Sequence, residues 1–175
     1  MQPNINPKLS TPGSSSSEIL IPNSTEELNM ASRTLSTLAS TSIRAVSIGR
    51  SFAGGIMFFT PQIGAHLFGV PLAPETNILA RLFGIRDLAL GGLLWGARSR
   101  LATAISSSDP ALVKEAGRDL DRLLHLGMAI DSVDILSSIV SIWSGDMGGR
   151  AIFWVPCGAA MFVGLQWLAV RHGKL

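Results

Sequence analysis

Five ionisable side chains interrupt stretches that are otherwise apolar. Arg81, Arg86 and Asp87 fall in one stretch, Asp131 and Asp134 in another. Carboxyls held near each other in a medium of low dielectric can keep and donate protons, and a guanidinium can hold an anionic or carbonyl group. Asp87, Asp131 and Asp134 are therefore the candidate catalytic residues. Arg81 and Arg86 are the candidate substrate-binding residues. The same residue types have a second reading, an ion-paired seam that specifies how helices pack. The chemistry this set could perform is isomerisation or cyclisation without a cofactor.

Helical spacing groups these residues. Gly127, Asp131, Asp134, Ser138 and Ser141 recur at i, i+4, i+7, i+11 and i+14, one polar stripe down a helix. Ala80, Gly84, Asp87 and Gly91 make a narrow stripe of small residues at matching spacing. The two stripes are expected to pack on each other. Arg86 points about 100° away from Asp87 on a helix and is expected to reach a carboxylate of the other stripe. Arg81 lies a turn or more further along.

The elements that must position them are four apolar helices, at about residues 43–68, 77–97, 123–143 and 151–170. Each is about 20 residues long, the length that crosses about 30 Å of hydrocarbon at 1.5 Å per residue. A charge at mid-bilayer costs about 2.5–3.5 kcal/mol on the lenient insertion scale, so such residues face the bundle interior and pair. In the first span Arg44 and Arg50 sit on the N-terminal side, where Arg50 is expected to snorkel to the headgroups. Gly54 and Gly55 allow close approach, and Pro61 should kink or end the helix. The stretch from Gln62 to Pro74 reads as an interfacial turn, and 99–117 as a polar connection in which Asp109 caps a helix that starts at Pro110. Residues 144–149 are a glycine-rich turn. Gly92–Gly96 and Ala160–Gly164 are small-xxx-small pairs. Trp154 and Trp167 lie near the ends of the last span, as an aromatic belt requires.

The composition agrees with lipid as a solvent. Hydrophobic residues make up 47% of the 175-residue chain and charged residues only 15%. The mean hydropathy is +0.38. Soluble domains carry about 25% charged residues. The net charge of +2 is too small to indicate a nucleic-acid partner. The expected fold is all-α, a polytopic membrane four-helix bundle (residues 43–171) behind a disordered or amphipathic cytoplasmic tail (1–42). A soluble helical bundle is the alternative. Within the tail, Ser24 and Glu27 form a capping-box pattern ahead of helically spaced Leu28, Ala31, Leu35 and Leu38.

Cys157, the one cysteine, excludes an intrachain disulfide and reads as a small buried hydrophobe. His66, His125 and His172 lack metal-ligand spacing, and no phosphate-cradling or nucleophile-elbow motif is present, so neither a metal nor a cofactor is expected. No signal peptide is visible, so the first span would serve as a signal anchor. Lys8, Arg33, Arg44, Arg98, Arg100, Lys114, Arg118, Arg171 and Lys174 fall on one side of the spans, with little beyond Arg81 and Arg150 on the other. The positive-inside rule then puts both termini and the 99–117 connection in the cytoplasm. The sequon Asn23-Ser24-Thr25 should accordingly stay unglycosylated.

The string from Arg81 to Gly91, RLFGIRDLALG, resembles the R-x-x-G-x-R-D-x-x-x-G signature of small four-helix integral membrane proteins known only as a domain of unknown function and common in filamentous fungi. Gly55, Pro61 and the run Phe68-Gly69-Val70-Pro71 resemble that family's first span and following turn. Asp131 and Asp134 resemble its acidic third span. The resemblance covers about residues 43–170. It implies a small membrane protein of an internal membrane such as the endoplasmic reticulum. By association with secondary-metabolite gene clusters, it implies work on a lipophilic small molecule, as an isomerase, cyclase or accessory protein. The alternative is a scaffold or small-molecule carrier. The expected partners are the lipid bilayer and that small molecule.

Overall fold

Apolar residues at helical spacing, interrupted by proline and glycine, give a chain whose regular elements are helical throughout the described residues. The computed structural model describes residues 37–70 and 72–173. It contains α1 (Thr37–Phe59), α2 (Pro61–Phe68), a single 3₁₀ turn (Pro74–Thr76), α3 (Asn77–Ser107), α4 (Pro110–Trp143) and α5 (Ala151–His172). Residues 1–36 of the expected 1–42 tail, with the capping box and sequon, lie outside the described residues, as do Pro71, Lys174 and Leu175.

Helix boundaries depart from expectation where polar sequence proved helical. The first span was expected at 43–68. The helix already covers Thr37, the first described residue, and stops at Phe59, and Pro61 opens the separate α2 from its first position, where its missing N–H costs nothing. Much of the expected 62–74 turn is therefore helix. α2 ends at Gly69, whose φ of 71° lies in the left-handed region.

The expected 99–117 connection is not a loop. α3 continues to Ser107 and α4 begins at Pro110, leaving only Ser108 and Asp109 between them. Asp109 caps α4 as its sequence predicts, accepting from the Ala111 N–H at 2.9 Å and the Leu112 N–H at 3.4 Å. The charged residues here coexist with an apolar face. Leu101, Ala104, Val113, Leu120 and Leu124 are buried at helical spacing.

The four long helices form a ring. α1 packs against α3 and α5, and α4 packs against α3 and α5. Near the α3–α4 turn the ring is filled by Ile43, Val46, Leu94, Ala97, Leu101, Val113, Leu120, Leu124 and Ala169. Further along, the backbones of α1 and α3 touch at Gly54 and Gly84. A Cβ on Gly54 would lie 2.6 Å from the Gly84 carbonyl oxygen, and one on Gly84 would lie 2.6 Å from the Phe58 nitrogen. The small-residue stripe of α3 thus faces α1, not α4 as expected. Gly92 and Gly96 have open space where a Cβ would go, as does Gly164, so neither small-xxx-small pair packs within the chain.

The outside of the ring is apolar. Phe52, Leu82, Phe83, Val133, Leu136, Val140, Phe153 and Met161 are all exposed. α4 and α5 are long and apolar enough to cross a membrane, and only 22% and 11% of their apolar windows are buried. Neither helix buries most of its apolar surface within the chain. Cys157 belongs to this exterior, exposed instead of buried. The four tryptophans fall toward the two ends: Trp95 and Trp167 toward the α3–α4 turn, Trp143 and Trp154 at the α4–α5 turn.

Candidate functional site

The centre of the site is a residue the sequence reading placed elsewhere. Arg50, expected to snorkel outward, is fully buried. The cause is that α1 extends ahead of the expected span. With six more residues at its N-terminus, the helix carries Arg50 to mid-bundle, on the same face as Ile43, Val46, Ser47 and Gly54, all of them buried. Its Nη1 donates to Asp87 Oδ1 at 3.0 Å and its Nη2 donates to Asp131 Oδ2 at 2.5 Å. The second bond crosses the ring from α1 to α4, between helices that are not neighbours. The guanidinium also lies 5.1 Å from the centroid of the Phe162 ring on α5.

Gln166 of α5, also missed, completes this buried end. It is fully buried, and its Nε2 donates to Asp131 Oδ2 at 2.7 Å and to the Phe162 carbonyl at 3.1 Å. The amide fits because position 127 is glycine. A Cβ there would collide with Gln166 Oε1. A detectable signal was available. Gln166 is the only uncharged amide inside the last apolar span, and Phe162, Gln166 and Ala169 share a helical face.

From Arg50 the pairing runs outward. Asp87 Oδ1, already bound to Arg50, is 3.4 Å from Arg86 Nη2. Arg86 then grips Asp134 in bidentate fashion, Nη1 to Oδ1 at 3.1 Å and Nη2 to Oδ2 at 2.8 Å. The result is one alternating chain, Gln166–Asp131–Arg50–Asp87–Arg86–Asp134, joining all four long helices. Its two ends differ in access. The Arg50 and Asp131 side chains are 1% and 3% exposed, while Arg86 and Asp134 are 30% and 27% exposed.

Of the sequence-predicted residues, Arg86, Asp87, Asp131 and Asp134 are brought together. Arg81 is not. It is exposed on α3 and enters no ion pair among the described residues. The polar stripe of α4 does face inward, with Gly127, Asp131 and Ser138 buried. His125 stands apart, paired with Asp121 on the exposed start of α4 at 3.4 Å. Among the described residues no group of three histidine, cysteine or carboxylate side chains could hold a metal.

Within this cluster three buried polar atoms have no partner: Arg50 Nε, Arg86 Nε and Gln166 Oε1. Two are donors and one an acceptor, so water or a polar ligand atom can satisfy them. The cluster also holds three carboxyls against two guanidiniums. It becomes neutral by taking one proton, and neutrality matters most where the dielectric is low. No known protein family, curated protein or solved structure matches the chain.

Proposed function

We propose that this chain is a multi-pass integral membrane protein, a four-helix membrane bundle in which α1, α3, α4 and α5 all cross the bilayer. Both termini and the α3–α4 turn face the cytoplasm, in an internal membrane. Its half-exposed carboxyls, Asp87 and Asp134, move a proton on a lipophilic small molecule that Arg86 anchors, giving isomerisation or cyclisation without a cofactor. One observation carries the reading: charge is inside and apolar surface outside. Arg50, Asp131 and Gln166 are buried while Phe52, Leu136 and Phe153 are exposed, the reverse of a protein folded in water. The buried end of the chain fixes the helices, and the open end is left for chemistry.

The test is metabolite profiling after deletion of the gene, followed by complementation. Asp134→Asn should leave the amount of folded protein unchanged and abolish the conversion. Full conversion by Asp134→Asn would overturn the proton-transfer role. A second reading, a scaffold or carrier, is favoured by a specific observation: every guanidinium and carboxyl of the cluster has a partner of opposite sign. Under that reading deletion changes no metabolite, and Asp131→Asn fails to fold.

A further inference from the structure

A second group of arginines lies away from the cluster, at the end of the helices marked by the α3–α4 turn. Arg98 follows the apolar part of α3. Its Nη2 donates to Ser40 Oγ on α1 at 3.2 Å, and its guanidinium carbon lies 6.0 Å from the Trp95 ring centroid. Its Nε is buried and has no acceptor. Arg44 is four residues after Ser40, so the two share a face of α1, with Cβ atoms about 5–6 Å apart. Burial first, and then the like charge of Arg44, lower the proton affinity of Arg98. Neither arginine has a carboxylate partner among the described residues, in contrast to Arg50 and Arg86.

Arg98 bonds the Ser40 hydroxyl and keeps a buried N–H without an acceptor, Arg44 lies one turn along on the Ser40 face, and among the described residues neither guanidinium has a counter-ion. We propose that Arg44, Arg98 and Ser40 form a binding site for one phosphate group, carried by an anionic phospholipid or by a free phosphate compound. A tetrahedral oxyanion suits the set, since guanidinium N–H groups match its oxygens in pairs and the Ser40 hydroxyl can donate as a third contact. Trp95 is half exposed beside the site and would lie at headgroup depth. The lipid source rests on the membrane-spanning reading, whereas the phosphate chemistry does not.

The test is native mass spectrometry of the full chain after exposure to phosphatidylglycerol, with phosphatidylcholine as the neutral probe and inorganic phosphate as competitor. Wild type should retain one phosphatidylglycerol and little phosphatidylcholine. Arg98→Gln and Arg44→Gln should each reduce retention roughly tenfold, the loss of one charge-assisted contact. Arg100→Gln, at an exposed position two residues beyond Arg98 and about 200° around the helix, should leave retention unchanged. Arg44 is exposed, so its substitution tests the site without threatening the fold. Displacement of the lipid by inorganic phosphate, or phosphate retained with no lipid bound, assigns the site to free phosphate and leaves the membrane reading to its own tests. Equal retention by wild type and Arg44→Gln, or equal retention of the two lipids with no bound phosphate, would overturn the proposal.

Discussion

Leu94, Leu101, Leu120 and Leu124 fill one half of the helix ring with apolar contacts, whereas Arg50, Asp131 and Gln166 fill its middle with charge and amide. The same helices build both regions. The apolar half is non-directional and tolerates rearrangement by small shifts. The polar middle is directional, and Arg50 and Gln166 each donate to particular acceptors on another helix. Arg50 ties α1 to α3 and α4, and Gln166 ties α5 to α4. A buried ion pair adds little net stability over apolar packing, yet removing one partner is costly because a charge is left unpaired. The contrast assigns cohesion to the apolar half and helix register to the polar middle.

The contrast breaks most sharply at Arg50. Arg50→Met strands Asp131 and should cost about 3–5 kcal/mol, seen as loss of the thermal transition in detergent. The double variant Arg50→Met/Asp131→Leu should recover most of that loss, because Asp87 keeps Arg86 as a partner. No recovery would mean that the middle is held by something other than this pair. Next in size is Leu101→Ala, expected to cost about 2–5 kcal/mol through the cavity it leaves. No compensating partner exists for it, and metabolite conversion per folded molecule should be unchanged.

Smaller effects sharpen the same contrast. Gly84→Ala drives a methyl into the α1 backbone and should cost about 1–3 kcal/mol, while Gly92→Ala on the open face of α3 should stay within about 0.5 kcal/mol. Thermal denaturation of the two variants side by side checks this. Asp134→Asn should cost only about 1 kcal/mol of stability, because its pair is partly exposed, while its effect on conversion is the largest. A stability loss as large as that of Arg50→Met would place Asp134 in the structural part of the chain.

Much of this was legible in the sequence. The turn at 144–149, the last helix, the Asp109 cap and the inward stripe of α4 follow from spacing and residue type. The pairing of Arg86 with a carboxylate of α4 was also expected. Arg50 was not readable as central, because its depth depends on where α1 begins. Thr37 to Ser42 read as part of an amphipathic tail separate from the bundle, yet Ala39 and Ser42 are buried against the ring. The partner of the Gly84 stripe was not readable either. Small residues declare that a backbone comes close, not which one, and only the ring order of the helices places α1 there. The long α3–α4 hairpin was hidden for a similar reason. Its charged residues dominate the composition, while Leu101, Val113 and Leu120 carry the packing.

The account rests on helices that cross a bilayer with the charged chain inside. Single cysteines placed at the two turns of a Cys157→Ser protein, Ser108→Cys and Ser144→Cys, probe this in sealed vesicles with a membrane-impermeant maleimide. The account predicts labelling of position 108 only from the cytoplasmic side and of position 144 only from the opposite side. Labelling of 108 and 144 from the same side would contradict it.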